Sequence, residues 1–175
     1  ERAPGAGERR LPGLARTVVR AWDPAAPRRH GQGGVARAAD ELTGGDLLWY
    51  RPAGPVGAWL EIPVEVGAKE PLRLEVRARR SPDGGLYQVF LDGVKIGEPL
   101  DFRAEHPSAA VFPLLDFWPE PGRHVLRLAC VGQSARSSGY ACGIEAVRLL
   151  ERRPRVAAYG HDKDKDWRTE PKLYY

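Results

Sequence analysis

Five aromatic side chains have the chemistry and the setting for recognition: Trp49, Tyr50, Trp59, Phe90 and Trp118. Trp59 shares strand parity with Glu61 and Glu65, and Phe90 shares it with Gln88, so both are expected to point away from an apolar interior. Trp49, Tyr50 and Trp118 border turns. Planar rings beside polar groups make a platform for the apolar C–H faces of sugar rings, and the five are candidate glycan-binding residues on that ground. The competing reading is that a loop, a second layer or a neighbouring subunit covers them.

Bond-making chemistry finds less support. Ser134, Ser137 and Ser138 cluster in a turn without a nucleophile motif, and His30, His106, His124 and His161 are scattered. Asp101, Glu105, Asp116 and Glu120 fall in or beside one loop region, which keeps a carboxylate pair of the glycosidase kind in view, although loop carboxylates are usually just solvated. No phosphate loop or dinucleotide fingerprint is present. The expectation is therefore a chain with no catalytic residues.

Asp162, Asp164 and Asp166 put three carboxylates on one side of a looped segment, as calcium loops do. Trp167 occupies the position where an EF-hand needs glycine, so a weaker calcium site competes with a solvated charge run. Cys130 and Cys142 lie on consecutive predicted strands and share parity with apolar neighbours. Two readings stay open, a disulfide across a hairpin or two buried free thiols.

What must position these groups is a body of short strands. The chain has 175 residues, 42% hydrophobic and 29% charged, which suits one domain with terminal arms. Its 20 glycines and 16 prolines punctuate short runs throughout, a pattern of many turns. Leu60, Ile62, Val64 and Val66 alternate with polar residues, as do Leu72, Leu74, Val76 and Ala78; such period-two runs mark a sheet with one wet face. Asp92-Gly93 signals a hairpin turn, and further strands are expected over 86–91, 109–117, 124–131 and 140–150. Residues 23–46 read as a long irregular connection. No helical period runs longer than about two turns. The fold expected is all-β, an antiparallel jelly-roll β-sandwich over 23–151, with an N-terminal arm at 1–22 and a charged, aromatic tail at 152–175.

The net charge of +4 comes from 27 basic and 23 acidic residues, and the basic groups are scattered without interleaved aromatics. That argues for a solvated surface and against nucleic acid. No apolar run approaches the roughly 20 residues that span a bilayer, so no membrane insertion is expected. The chain lacks methionine and begins Glu1-Arg2-Ala3-Pro4, so a processed or excised chain is expected, and the former fits secretion.

Several motifs carry a resemblance: Leu91-Asp92-Gly93, Gly97, Asp101-Phe102, the run Gly122-Arg123-His124-Val125-Leu126-Arg127-Leu128, Ser138-Gly139-Tyr140 and Gly143-Ile144-Glu145. Over roughly residues 40–150 they resemble an accessory β-sandwich module found with glycoside hydrolase family 172 and other secreted proteins of planctomycete-type bacteria. More distantly the stretch is similar to carbohydrate-binding modules of the galactose-binding type. The resemblance implies a jelly-roll fold, an extracellular setting and association with polysaccharide, and it carries over no catalytic site.

Two functional readings follow. One is a non-catalytic extracellular module that associates with glycan. The other is a self-assembling structural subunit, a homo-oligomer or filament in which Thr17, Val18, Val19 and Trp22 belong to a strand donated to a neighbour's sheet.

Overall fold

The structure is a computed structural model. It describes residues 15–22, 29–40, 45–152, 155–156 and 173–174. The strands, in chain order, are β1 (Ala15–Arg20), β2 (Arg29–His30), β3 (Gly34–Asp40), β4 (Gly45–Arg51), β5 (Trp59–Val66), β6 (Leu72–Arg80), β7 (Leu86–Leu91), β8 (Val94–Asp101), β9 (Ser108–Phe117), β10 (Gly122–Gly132) and β11 (Cys142–Glu151). Two short strands, β12 (Arg155–Val156) and β13 (Leu173–Tyr174), pair only with each other.

The eleven strands build two antiparallel sheets. One runs β3-β4-β11-β6-β9, with β1 also on β11, and the other runs β2-β5-β10-β7-β8. The alternation read in the sequence decides which faces meet. Leu60, Ile62, Val64 and Val66 of β5 are buried, and so are Leu72, Leu74, Val76 and Ala78 of β6, together with Leu126 and Leu128 of β10. Each such valine, leucine or isoleucine side chain withdrawn from water contributes about 1.5–3 kcal/mol, so the inner faces rather than the turns hold the sheets together.

Across one end of the core runs an aromatic row. Tyr50, Tyr87, Phe102 and Phe112 follow one another with ring centroids 6.5, 5.4 and 5.3 Å apart, tilted or edge-on as ring quadrupoles prefer. The buried hydroxyls are satisfied: Tyr87 donates to the Tyr140 carbonyl at 2.6 Å, and Tyr50 donates to the Gln32 carbonyl and accepts from the Trp59 N–H at 3.1 Å. Burial pushes both phenols up, Tyr87 far beyond the ordinary tyrosine range. Close backbone approach closes this end. A Cβ on Gly84 would lie 1.9 Å from the Phe102 carbonyl oxygen, so only glycine fits there.

Several expectations are corrected. The stretch read as an irregular connection contains β2 and β3, and β3 pairs with β4 over seven residues. Its sequence, Gly-Val-Ala-Arg-Ala-Ala-Asp, hides the strand because its apolar side chains are mostly alanine, and of residues 34–39 most are exposed, as an edge strand allows.

The N-terminal strand read as donated to a neighbour is used by the chain itself. β1 pairs antiparallel with β11, from Ala15 opposite Leu150 to Arg20 opposite Ala146, and Trp22 packs against the core. One edge of β11 is thus shared, with β4 on Cys142–Ile144 and β1 on the residues beyond Glu145. Glu145 sits at a bulge between the two and is 2% exposed, and its backbone carbonyl accepts from the Ala21 N–H at 2.9 Å. Its carboxylate pairs with Arg20 at 3.1 Å and Arg77 at 3.7 Å.

Cys130 and Cys142 belong to different sheets, so no hairpin joins them; both are buried free thiols, and burial pushes both up in pKa. Residues 1–14 of the N-terminal arm and Asp162, Asp164 and Asp166 lie outside the described residues. Among the described residues, no three His, Cys, Asp or Glu side chains group as metal ligands. Among the described residues, no helix is long and apolar enough to cross a membrane.

Candidate functional site

The outer face of the five-stranded sheet gathers the groups most suited to binding. β10 runs through the middle of this face and turns Arg123, Val125, Arg127 and Ala129 outward, opposite in parity to its buried leucines. Register fixes their neighbours. Arg127 stands between Phe90 of β7 and Glu61 of β5; Phe90 faces Lys95 of β8, and Glu61 faces Arg29 of β2. The result is a continuous row of five side chains, Lys95, Phe90, Arg127, Glu61 and Arg29, crossing the sheet. On one side of it Trp59 stands opposite Ala129, and on the other Pro63 stands opposite Val125. Successive rows of outward residues lie roughly 7 Å apart along the strands.

Trp59 is half-buried and held in place. The Arg127 guanidinium carbon sits 4.5 Å from the indole centroid, a cation–π contact, and the indole nitrogen edge lies against Gly31. Glycine at 31 is required, because a Cβ there would come within 2.7 Å of the Trp59 Nε1 and 2.0 Å of the Gly57 carbonyl oxygen. Glu61 is nearly buried and accepts from Arg127 at 3.2 Å, with Arg29 at 3.8 Å on its other oxygen. Beside this triad is a groove lined by Arg29, Glu61, Pro63, Arg123 and Val125. Gln88, in line with Trp59, is not open to a ligand: its side-chain N–H groups donate to the carbonyls of Val89, Ile96 and Gly97, where the β7–β8 ladder slips register.

The five aromatics proposed from sequence divide among four places. Trp59 and Phe90 share this face, linked through Arg127. Trp49 lies on the outer face of the six-stranded sheet, its ring over Gly143 and under Arg51 at 5.1 Å. Trp118 is 57% exposed at the β9–β10 connection. Tyr50 is fully buried in the aromatic row and is corrected from a ligand contact to a core residue, since it alternates inward with Leu48.

The carboxylates read as one loop region are also spread out. Glu105 and Glu120 flank opposite ends of β9, a strand of ten residues or roughly 33 Å. Asp116 is engaged by Arg73 at 2.9 Å and by Arg152, Glu120 by Lys69, and Asp101 accepts from the Arg103 backbone N–H at 2.9 Å.

At the rim of the face His124 bridges two acceptors. Its Nδ1 lies 2.5 Å from the Asp92 carboxylate and its Nε2 lies 2.6 Å from the Glu120 carbonyl. Both partners only accept, so the doubly protonated imidazolium satisfies the pair best. The Glu120 carbonyl first, and then Asp92, holds the histidine above its ordinary pKa. For Asp92, burial pushes upward but is outweighed by the Val125 N–H and His124, which hold the carboxyl below its usual range.

Sequence reasoning found Trp59 and Phe90 but missed Arg29, Glu61, Arg123 and Arg127 as their partners. Strand parity places Arg123 and Arg127 outward; register, which the sequence does not print, brings them to Trp59 and Phe90.

No protein-family model matches the chain, and no curated protein matches it. Solved structures do. A xanthan lyase from Paenibacillus is similar over 86% of this chain, at 20% identity and a TM-score of 0.66; the chain spans only 14% of the length of that enzyme. A family 35 carbohydrate-binding module from Clostridium thermocellum aligns with 77% of this chain and 98% of its own, at 16% identity and a TM-score of 0.51. A carbohydrate-binding module from Cellvibrio mixtus lichenase 5A, solved with cellotriose, aligns with 80% of this chain and all of its own length, at 15% identity and a TM-score of 0.50. The two-sheet antiparallel sandwich therefore has the fold of carbohydrate-binding modules.

Proposed function

We propose that this chain is a non-catalytic glycan-binding module of a secreted protein, and that it holds polysaccharide on the outer face of its five-stranded sheet. The observation that carries the reading is the placement of two outward aromatics, Trp59 and Phe90, on either side of β10 about an arginine, Arg127, that also binds a carboxylate. Sugar rings offer apolar faces and hydroxyls together, and this row offers ring surface with donors and an acceptor alongside. The shared fold supports the reading, as does the occurrence of a similar unit within a far longer polysaccharide-acting chain. An accessory role beside a hydrolase, of the glycoside hydrolase family 172 kind, follows from the same proposal.

Calorimetric titration against a panel of soluble plant, fungal and bacterial polysaccharides tests it. The chain is expected to bind at least one member. Trp59→Ala and Phe90→Ala should each weaken that binding roughly tenfold or more, the scale of a buried aromatic contact, while Trp49→Ala on the opposite sheet leaves it unchanged. Binding to no member of the panel, or loss confined to Trp49→Ala, would overturn the proposal.

A further inference from the structure

We infer that the glycan held on this face is acidic: a polysaccharide whose sugars carry carboxylates, laid along β10. The inference rests on the glycan-binding reading and narrows it to a substrate class.

The charge around β10 is unbalanced. The outward cations of β2 and β10 are Arg29, Arg123 and Arg127 and the outward anions of β5 are Glu61 and Glu65, while on β8 Lys95 is accompanied by the carboxylates Glu98 and Asp101. Glu61 is already engaged from both sides, by Arg127 and Arg29. Glu65 stands opposite Arg123 in the ladder, yet no ion pair joins them, and Arg123 has no hydrogen bond or ion pair among the described residues. Arg29 is three-quarters exposed and meets Glu61 only at 3.8 Å, so most of its five donors point to solvent.

The groove places these donors usefully. Pro63 and Val125 form an apolar floor, with Arg123 on one side and Arg29 on the other. A sugar ring resting on that floor has its substituents between two guanidinium groups. Such forks match carboxylates in a bidentate way, which a neutral hydroxyl cannot reproduce. Arg123 and Arg127 are four residues apart on one strand, hence about 14 Å, with Val125 between them. A chain along β10 therefore meets cation, apolar surface, cation and then the Trp59 indole. That order suits a polymer with recurring carboxylates better than a single sugar, because each further acidic unit adds a contact without a further loss of translational freedom.

Titration with polygalacturonate and with the same polymer fully methyl-esterified isolates the charge, since esterification keeps the sugar and removes the carboxylate. Polygalacturonate should bind roughly tenfold or more tightly than the ester, as expected for one charge-assisted contact. Arg123→Gln combined with Arg29→Gln should remove that difference while leaving binding of the ester in place, and Trp59→Ala should weaken both polymers. Two further probes, dextran sulfate and duplex DNA, should bind less well than polygalacturonate. Equal affinity for the acid and the ester would overturn this inference and leave the glycan reading intact. Equal or tighter binding of DNA or dextran sulfate would overturn it in favour of an unspecific polyanion patch. Binding of no polysaccharide, esterified or not, would bring down the glycan reading and this inference together.

Discussion

Trp59 illustrates how a single position is shaped by what surrounds it. Glycine at 31 leaves room for the indole edge, Arg127 covers part of one ring face, and Tyr50 anchors the Trp59 backbone N–H from within the core. The side chain is presented rather than loose, which lowers the entropy a ligand must overcome in fixing it. At the rim, His124 and Asp92 add a pH dependence whose sign follows from their shifts. The histidine is raised, so its stabilisation is whole below its ordinary value of about 6.5 and is lost as pH climbs through the raised value. The aspartate is lowered, so its share is whole above about pH 4 and is lost on acidification. The gap in melting temperature between the native chain and His124→Gln should therefore be widest near pH 5–6 and should narrow by pH 9. A gap that widens with rising pH would contradict the assignment.

Among the elements, β1 is the one whose attachment is most exposed to test. It lies on an edge of β11 that β4 has left open, and Arg20 supplies the nearer partner of the buried Glu145. Removing residues 1–20 bares that edge and leaves Glu145 with Arg77 alone, at 3.7 Å. The expected cost is roughly 2–3 kcal/mol, the sum of a weakened buried ion pair and the packing of Val19, with a tendency to associate through the open edge. A truncated chain with unchanged melting temperature and no association would show that β1 is dispensable. The element scale also shows what the sequence could tell. β5 and β6 were legible because both alternate apolar and polar residues without interruption. β3 was not, because alanine and glycine on an edge strand leave no hydrophobic period. Tyr50 was misjudged because it precedes a turn, Arg51-Pro52, while its parity follows Leu48 into the core.

At the scale of the whole molecule, two sheets enclose a largely apolar interior, and their outer faces differ in what they offer. The six-stranded sheet presents arginines largely tied to carboxylates, among them Arg148 with Glu75 and Arg73 with Asp116. The five-stranded sheet presents aromatics beside arginines with donors to spare. Pairing within a strand was readable from parity, whereas the row from Lys95 to Arg29 exists only through five strands in register. The integrity of the interior can be followed through Cys130 and Cys142. Both thiols are buried and shifted upward, so a thiol-specific chromogenic reagent should find neither in the folded chain and two after denaturation. Rapid labelling under native conditions would mean that the sheets part far more easily than their packing allows.

The claim that the five-stranded face is the binding face is tested most directly by mapping amide and side-chain NMR shifts during titration with a bound polysaccharide. The account predicts perturbations centred on Trp59, Glu61, Phe90, Arg123 and Arg127, with Trp49 and its neighbours on β4 and β11 silent. Shifts confined to the six-stranded sheet, or to Trp118 and the loop around it, would contradict it.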